Sequence, residues 1–294
     1  MLQAVYIGRF EPLHNGHLAN MLSALAQHDR LHLLLGSANL ARSSKNPWTA
    51  AERARIIRAA LREAGGDLRR VRCSPIPDEF DAGRWAAQVR RAVGSTPAVL
   101  VGSHKDVTSQ YLKWFPEWPL ALFPVWPGLG ASTLRAAYFE GGNVTDVPAV
   151  VQHFLETWQA TPTFRRLQAE HRAIQKVRVA WDGEPRCELL FLDLQHGQLR
   201  VERRSGAIGR GLWALPGRPL AAGEAAPGKA HVFAAPARSL TVPTTAYVVS
   251  SPSERPALTT GLWLPLSAAL ERPRRFFEDH QVIVRRMLEA QALP

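Results

Sequence analysis

A chain of 294 residues is longer than one domain usually needs, so two domains are the default expectation. Its apolar content of 46% suffices for ordinary cores, yet no apolar run approaches the ~20 residues of a membrane span, and Leu2-Gln3-Ala4-Val5-Tyr6-Ile7 lacks the marks of a secretory signal. A formal charge of +11, thinly spread in pairs such as Arg203-Arg204 and Arg274-Arg275, suits nucleotides better than nucleic acid, and the separated Cys73 and Cys187 point to reduced cytoplasmic thiols rather than a disulfide framework or zinc site.

Leu2–Gly8 reads as a short buried strand, followed by a turn and an amphipathic helix from about Gly16 to Gln27. Arg30–Gly36 is a second apolar strand. A polar loop from Ser37 to Pro47 leads to a helix capped by Thr49, with Glu52 three residues on, running to about Ala64. Val71–Ser74, Ala98–Gly102 and Leu120–Val125 read as further strands, with a helix over Ala82–Val93. Strands apolar on both faces that alternate with helices imply a doubly wound parallel α/β sheet.

After Arg135 the pattern changes. Helices are expected over about Val147–Gln159 and Thr163–Gln175, separated by Thr161-Pro162. Strand-like text follows at Val177–Trp181, Cys187–Leu192 and Ala246–Val249, and a last helix over about Phe276–Gln291. The expected organisation is a doubly wound domain over 1–145, a helical hinge over 146–176, and a smaller α+β domain over 177–294.

The most specific stretch is Gly8-Arg9-Phe10-Glu11-Pro12-Leu13-His14-Asn15-Gly16-His17. A strand ends at Gly8, where a missing side chain lets a phosphate near the backbone, and a helix opens near Gly16. Ligands of open α/β sheets bind beyond the carboxyl ends of strands, and a helix N-terminus favours an anion. His14 and His17 can both donate to a nucleotide's α-phosphate as charge builds on it.

This stretch resembles the G-x-F-x-P-x-H-x-G-H signature of the HxGH nucleotidyltransferases. Gly36-Ser37 with Lys45-Asn46-Pro47-Trp48-Thr49-Ala50-Ala51-Glu52-Arg53, then Asp81 through Trp85, and Val101-Gly102-Ser103-His104-Lys105-Asp106 resemble the nicotinamide-mononucleotide (NMN) adenylyltransferases, particularly bacterial ones fused to a Nudix domain. Leu129-Gly130-Ala131-Ser132-Thr133-Leu134-Arg135 is similar to the family's second signature, with Gly130 in place of a serine. The resemblance implies a Rossmann-like transferase domain with His14, His17 and Arg135 as catalytic residues. It places Gly8, Arg9, Phe10, Gly16, Gly102, Lys105 and Ser132 on ATP, and Gly36, Ser37, Asn46, Asp81 and Trp85 on NMN. It implies ATP and NMN as partners, Mg²⁺ arriving with ATP, no protein-held metal, and a possible homo-oligomer. By the same resemblance Trp85 lies against the nicotinamide ring, where an indole stacks on a cationic pyridinium.

Leu212-Trp213-Ala214-Leu215-Pro216-Gly217, Glu224, His231 to Leu240 and Phe276-Phe277-Glu278-Asp279-His280 resemble parts of a Nudix domain. A working Nudix box needs a helix with carboxylates on one face to hold a metal against a pyrophosphate. Here Glu224 is followed by Ala225-Ala226-Pro227-Gly228-Lys229-Ala230 and then His231, so that helix is expected to be missing and the hydrolase inactive. The alternatives are a retained ADP-ribose pyrophosphatase, an adenylyltransferase for another phosphate acceptor, and a nucleotide sensor without turnover.

Overall fold

The computed structural model describes residues 2–103, 107–250 and 261–291. The chain divides into two compact units, Met1–Gln168 and Ala169–Pro294.

The first unit is a five-stranded parallel sheet, β1 (Gln3–Gly8), β2 (Arg30–Leu35), β3 (Val71–Pro75), β4 (Ala98–Gly102) and β5 (Leu120–Leu122), in the order β3-β2-β1-β4-β5. Its helices are α1 (Asn15–Gln27), α2 (Ala50–Glu63), α3 (Ala82–Val93), α4 (Ala131–Glu140) and α5 (Ala149–Gln159). Successive strand side chains point to opposite faces. Accordingly Ala4 and Tyr6 join a core with Met21, Leu25, Ile57 and Leu155, while Val5 and Ile7 join one with Ala86, Val89, Leu112 and Phe115. Both faces being covered, the strands are apolar throughout, as in parallel sheets generally. β5 is shorter than the apolar run through Val125 suggests. After the Phe123 N–H donates to Gly102 O (2.8 Å), Pro124 has no N–H to continue the ladder.

The chain passes from one unit to the other within α6 (Pro162–Val179). The strand expected at Val177–Trp181 is therefore helical up to Val179. Alternating valines there suggested a pleated face, but Val179 is 87% exposed and buries nothing.

The second unit is β-rich. Its strands are β6 (Arg186–Phe191), β7 (Leu194–Gln195), β8 (Gln198–Arg203), β9 (Trp213–Ala214), β10 (Gly217–Pro219), β11 (His231–Phe233), β12 (Thr244–Val249) and β13 (Gly261–Pro265). They form one sheet in the order β10-β6-β12-β11 and another in the order β13-β8-β7, with β9 paired to β8. Helices α7 (Leu266–Leu270) and α8 (His280–Gln291) follow, and Ile283, Val284 and Met287 of α8 pack on Leu199, Val201, Ala246 and Val248. α8 starts four residues later than expected, because Glu278 is left-handed (φ 46°) and cannot belong to a right-handed helix. Residues 220–230 form turns and no helix.

Candidate active site

β1 ends at Gly8, and the chain turns through Arg9–Leu13 into α1. His14 is the N-cap of that helix. Its Nδ1 accepts from the His17 N–H (3.2 Å), while the His17 Nδ1 accepts from the His14 N–H (3.4 Å). This is a capping box made of two imidazoles. Because both Nδ1 atoms accept, each neutral ring is assigned the tautomer with its proton on Nε2, which is then its donor. The two rings stack at 3.5 Å with 19° between their planes, and Phe10 meets the His17 ring edge-on at 5.0 Å. The capping geometry, the stack and Phe10 together fix both imidazoles at the positive end of α1.

Behind the turn lies a cluster of charge. Glu11 is 1% exposed, with Arg53 Nε 3.3 Å from its carboxylate. Burial pushes the Glu11 carboxyl up, while the guanidiniums of Arg53, Arg9 and Arg135 pull it back. Arg53 donates to Arg9 O (2.7 Å) and Gly36 O (2.9 Å). Arg9 donates to Asn46 Oδ1 (3.0 Å) and Lys45 O (3.3 Å), tying the turn to the loop before α2. Arg135 is buried and donates to Glu11 O, Ser44 O (3.1 Å), Ala131 O (3.2 Å) and Ser132 Oγ (3.5 Å). Burial lowers its guanidinium to about 10, which still leaves it cationic at neutral pH. Three guanidiniums against the Glu11 carboxylate make these strand ends positive, a field suited to a polyphosphate.

The structure thus gathers His14, His17, Arg9, Phe10, Asn46, Gly36 and Arg135 around the carboxyl ends of β1 and β2. Two glycines sit there for a reason the sequence did not reveal. A Cβ on Gly8 would fall 2.7 Å from the Phe10 ring, so the missing side chain makes room for that ring. A Cβ on Gly16 would fall 2.7 Å from the Trp126 indole, which lies against the first turn of α1. Gly102 is likewise a packing glycine, with Leu112 2.7 Å from such a Cβ. Ser37 is left-handed (φ 56°), and its hydroxyl donates to Asp78 (2.8 Å). Asp81 is the N-cap of α3, accepting from the Arg84 N–H (2.9 Å). Trp85 is half-buried and meets the rings of Tyr111, Trp114 and Phe115 at 5.7–6.0 Å. Ser132 is exposed in the first turn of α4, whose N-cap Gly130 supplies no side-chain bond. Lys105 lies outside the described residues.

Sequence reasoning quoted Glu11 and Arg53 within motifs without giving either a role, and it passed over Trp126. For Arg53 a signal existed: it sits in the buried stripe Arg53, Ile56, Ile57, Ala60, Leu61 of α2, where an arginine needs buried partners. Among the described residues no group of three or more His, Cys, Asp or Glu is arranged to hold a metal ion. No helix among them is long and apolar enough to cross a membrane.

Residues 5–113 match the cytidylyltransferase-like family. The nicotinamide/nicotinic acid mononucleotide adenylyltransferase of Acinetobacter baylyi is 35% identical over 176 residues, spanning 58% of this chain and 93% of that protein. The nicotinamide-nucleotide adenylyltransferase of Ignicoccus hospitalis is 41% identical over 99 residues, 34% of this chain and 58% of its own length. Among solved structures, a bifunctional NMN adenylyltransferase/ADP ribose pyrophosphatase from Francisella tularensis superposes with a TM-score of 0.87 at 24% identity, covering 98% of both chains. A structure of the Francisella enzyme complexed with AMP and a manganese ion gives 0.85. These likenesses establish the shared fold over both units.

Proposed function

We propose, from the premise that this chain belongs to the nicotinamide-mononucleotide adenylyltransferase family, that its first unit joins NMN to ATP at the carboxyl ends of β1 and β2. The chain is a nucleotidyltransferase, and the products are NAD and pyrophosphate. The observation that carries the assignment of the site is the two-imidazole capping box of His14 and His17 beside the guanidiniums of Arg9, Arg53 and Arg135.

An NMN phosphate oxygen attacks the α-phosphorus of ATP in line. One P–O bond forms as the bond to the β-phosphate oxygen breaks, and pyrophosphate leaves with the electron pair. No covalent enzyme intermediate is required, so positioning and charge stabilisation carry the rate. The Nε2–H groups of His14 and His17 donate to the α-phosphate oxygens as charge builds on them. Arg9, Phe10 and Ser132 are assigned to the triphosphate side, and Lys105 by the sequence resemblance alone, while Gly8, Gly16 and Gly102 serve that side through the packing of Phe10, Trp126 and Leu112. Arg135 acts chiefly by holding the Glu11 and Ser44 carbonyls, and so the turn that faces the phosphates. Mg²⁺ enters as part of the ATP substrate, held by phosphate oxygens and water. Gly36, Ser37, Asn46 and Asp81 define the NMN side, where the Trp85 indole stacks on the pyridinium.

The second unit keeps the fold of a pyrophosphatase without its chemistry. Glu224 is held by Arg218 (2.6 Å), which keeps its carboxyl down at about 2, and no helix in 220–230 aligns further carboxylates with it. Fold by itself does not confer activity. NAD formation and pyrophosphate release by the purified full chain, supplied with ATP, Mg²⁺ and NMN, test the proposal. A folded protein that binds both nucleotides yet releases no pyrophosphate overturns it.

A further inference from the structure

Phe10 and Ser37 are two non-glycine residues in the left-handed region, at φ 53° and 56°, one just past the end of β1 and one just past the end of β2. Such backbone is strained and persists only where surrounding contacts impose it. The carbonyl immediately before each is held by the same side chain. Arg53 donates through one terminal nitrogen to Arg9 O (2.7 Å) and through the other to Gly36 O (2.9 Å), while its Nε faces Glu11 at 3.3 Å. The side chain is 2% exposed, so the fork is fixed by packing as well as by bonding. A planar guanidinium holds the two carbonyls on two separate nitrogens in a fixed fork, whereas a lysine offers one flexible point charge whose donors leave from a single atom.

We propose that Arg53 is a positioning residue that sets both strand-end turns together, and so fixes the distance between the nucleotide on the β1 side and the mononucleotide on the β2 side. This rests on the assignment above of Arg9 and Phe10 to ATP and of Gly36 and Ser37 to NMN. In-line transfer requires the attacking oxygen and the α-phosphorus at near-contact distance, and a shift of an ångström costs about 100-fold in rate. One guanidinium bound to both turns makes that distance a single adjustable quantity. Glu11 neutralises the buried cation and holds its Nε end, which orients the fork.

The test uses the full chain with Arg53→Lys and Arg53→Gln, measured by thermal melting, by calorimetric titration of ATP alone and NMN alone, and by steady-state NAD synthesis. The expected result for Arg53→Lys is a folded protein with kcat lowered by about 100-fold and weaker binding of both nucleotides. Adding Ser37→Gly, which adopts positive φ without strain, should recover NMN binding in Arg53→Lys and leave ATP binding impaired. Variants that melt lower yet bind and turn over both substrates as wild type overturn the proposal. So does loss confined to one nucleotide, or a failure of both variants to fold, which would make Arg53 purely structural. Absence of NAD synthesis in the wild type would sink the assigned reaction, whereas the two titrations still report on the clamp.

Discussion

Replacing Arg135 with methionine separates two roles that a phosphate-site arginine can play. In the structure its donors go to the Glu11 and Ser44 carbonyls, in buried hydrogen bonds, and to Ala131 O and Ser132 Oγ near the start of α4. Methionine fills much of the volume but leaves two buried carbonyls without a donor, at about 1–3 kcal/mol each. Taking about 4 kcal/mol, and about 2–4 °C per kcal/mol for a unit of this size, the melting transition of the first unit should fall by about 8–16 °C. A lost contact to phosphate alone costs about 1.5–3 kcal/mol of ATP affinity and nothing in the free protein. The anchoring effect is therefore the larger, and the defect should be visible without any nucleotide. Scanning calorimetry of the full chain, with and without ATP, reads both terms, and initial rates read the consequence for turnover. Arg135→Lys keeps the charge but cannot bridge Glu11 and Ser44, so it should melt low while retaining part of the ATP-induced stabilisation. An Arg135→Met protein melting within about 2 °C of wild type would refute the anchoring argument, since the magnitude above leaves no room for it.

His17→Ala should lower kcat by about 100- to 1,000-fold through loss of a transition-state donor, while costing only about 1 kcal/mol as a lost helix cap; wild-type turnover in the folded variant would remove His17 from the mechanism. Trp85→Leu should raise the KM for NMN and leave that for ATP unchanged, and the reverse pattern would exchange the two subsites. Glu278 gives a pH dependence to the second unit. Burial raises its carboxyl from 4.5 to about 8, so its contribution to stability is fully present below pH ~4.5 and is lost as pH rises to about 8. Glu278→Gln should flatten that decline in thermal melts, and an unchanged slope would show that the group is ionised in the folded state. Incubation of the full chain with ADP-ribose and Mg²⁺ or Mn²⁺ should yield no AMP; AMP release abolished by Glu224→Gln would make the second unit a hydrolase.

Most elements of the first unit were legible because each carries a local signal, whereas α4 was not delimited as a helix and β5 was read too long. Thr49 and Glu52 form the expected capping box, and the strand boundaries at Ala98 and Gly102 coincide with the limits of an unbroken apolar run. The paired histidines were legible for the same reason, as a short motif at a strand–helix junction. What stayed hidden depends on contacts across long sequence separations. Arg53 meets carbonyls 44 and 17 residues away, and Arg135 reaches Glu11 across 124. Periodicity places such residues on a buried face but does not say what they hold. The glycines at 8, 16 and 102 add a second kind of hidden contact: Gly8 was read from the sequence, and Gly16 and Gly102 from the resemblance, as ligand positions, and each makes room for Phe10, Trp126 or Leu112.

In the second unit the segments that resemble a Nudix domain make buried contacts with one another and with the sheet. Arg238 is fully buried, with two bonds to Asp279 (2.9 and 3.0 Å), one to Glu188 (2.9 Å) and one to Thr244 O (3.2 Å). His280 accepts the Leu215 N–H (2.8 Å) through Nδ1, and Phe276 and Phe277 lie in two separate apolar clusters. The Phe276–His280 segment and Arg238, which resemble the fused enzymes in sequence, therefore work as internal braces joining α8 to β6, β12 and the residue after β9. Removing one member of such a buried charged pair leaves the other unpaired, at about 3–5 kcal/mol. Arg238→Met alone should consequently lower the melting temperature of the second unit sharply, whereas Glu224→Ala, at an exposed pair with Arg218, should leave it unchanged. If Arg238→Met melted as wild type, the surviving resemblance would need a reason other than the fold.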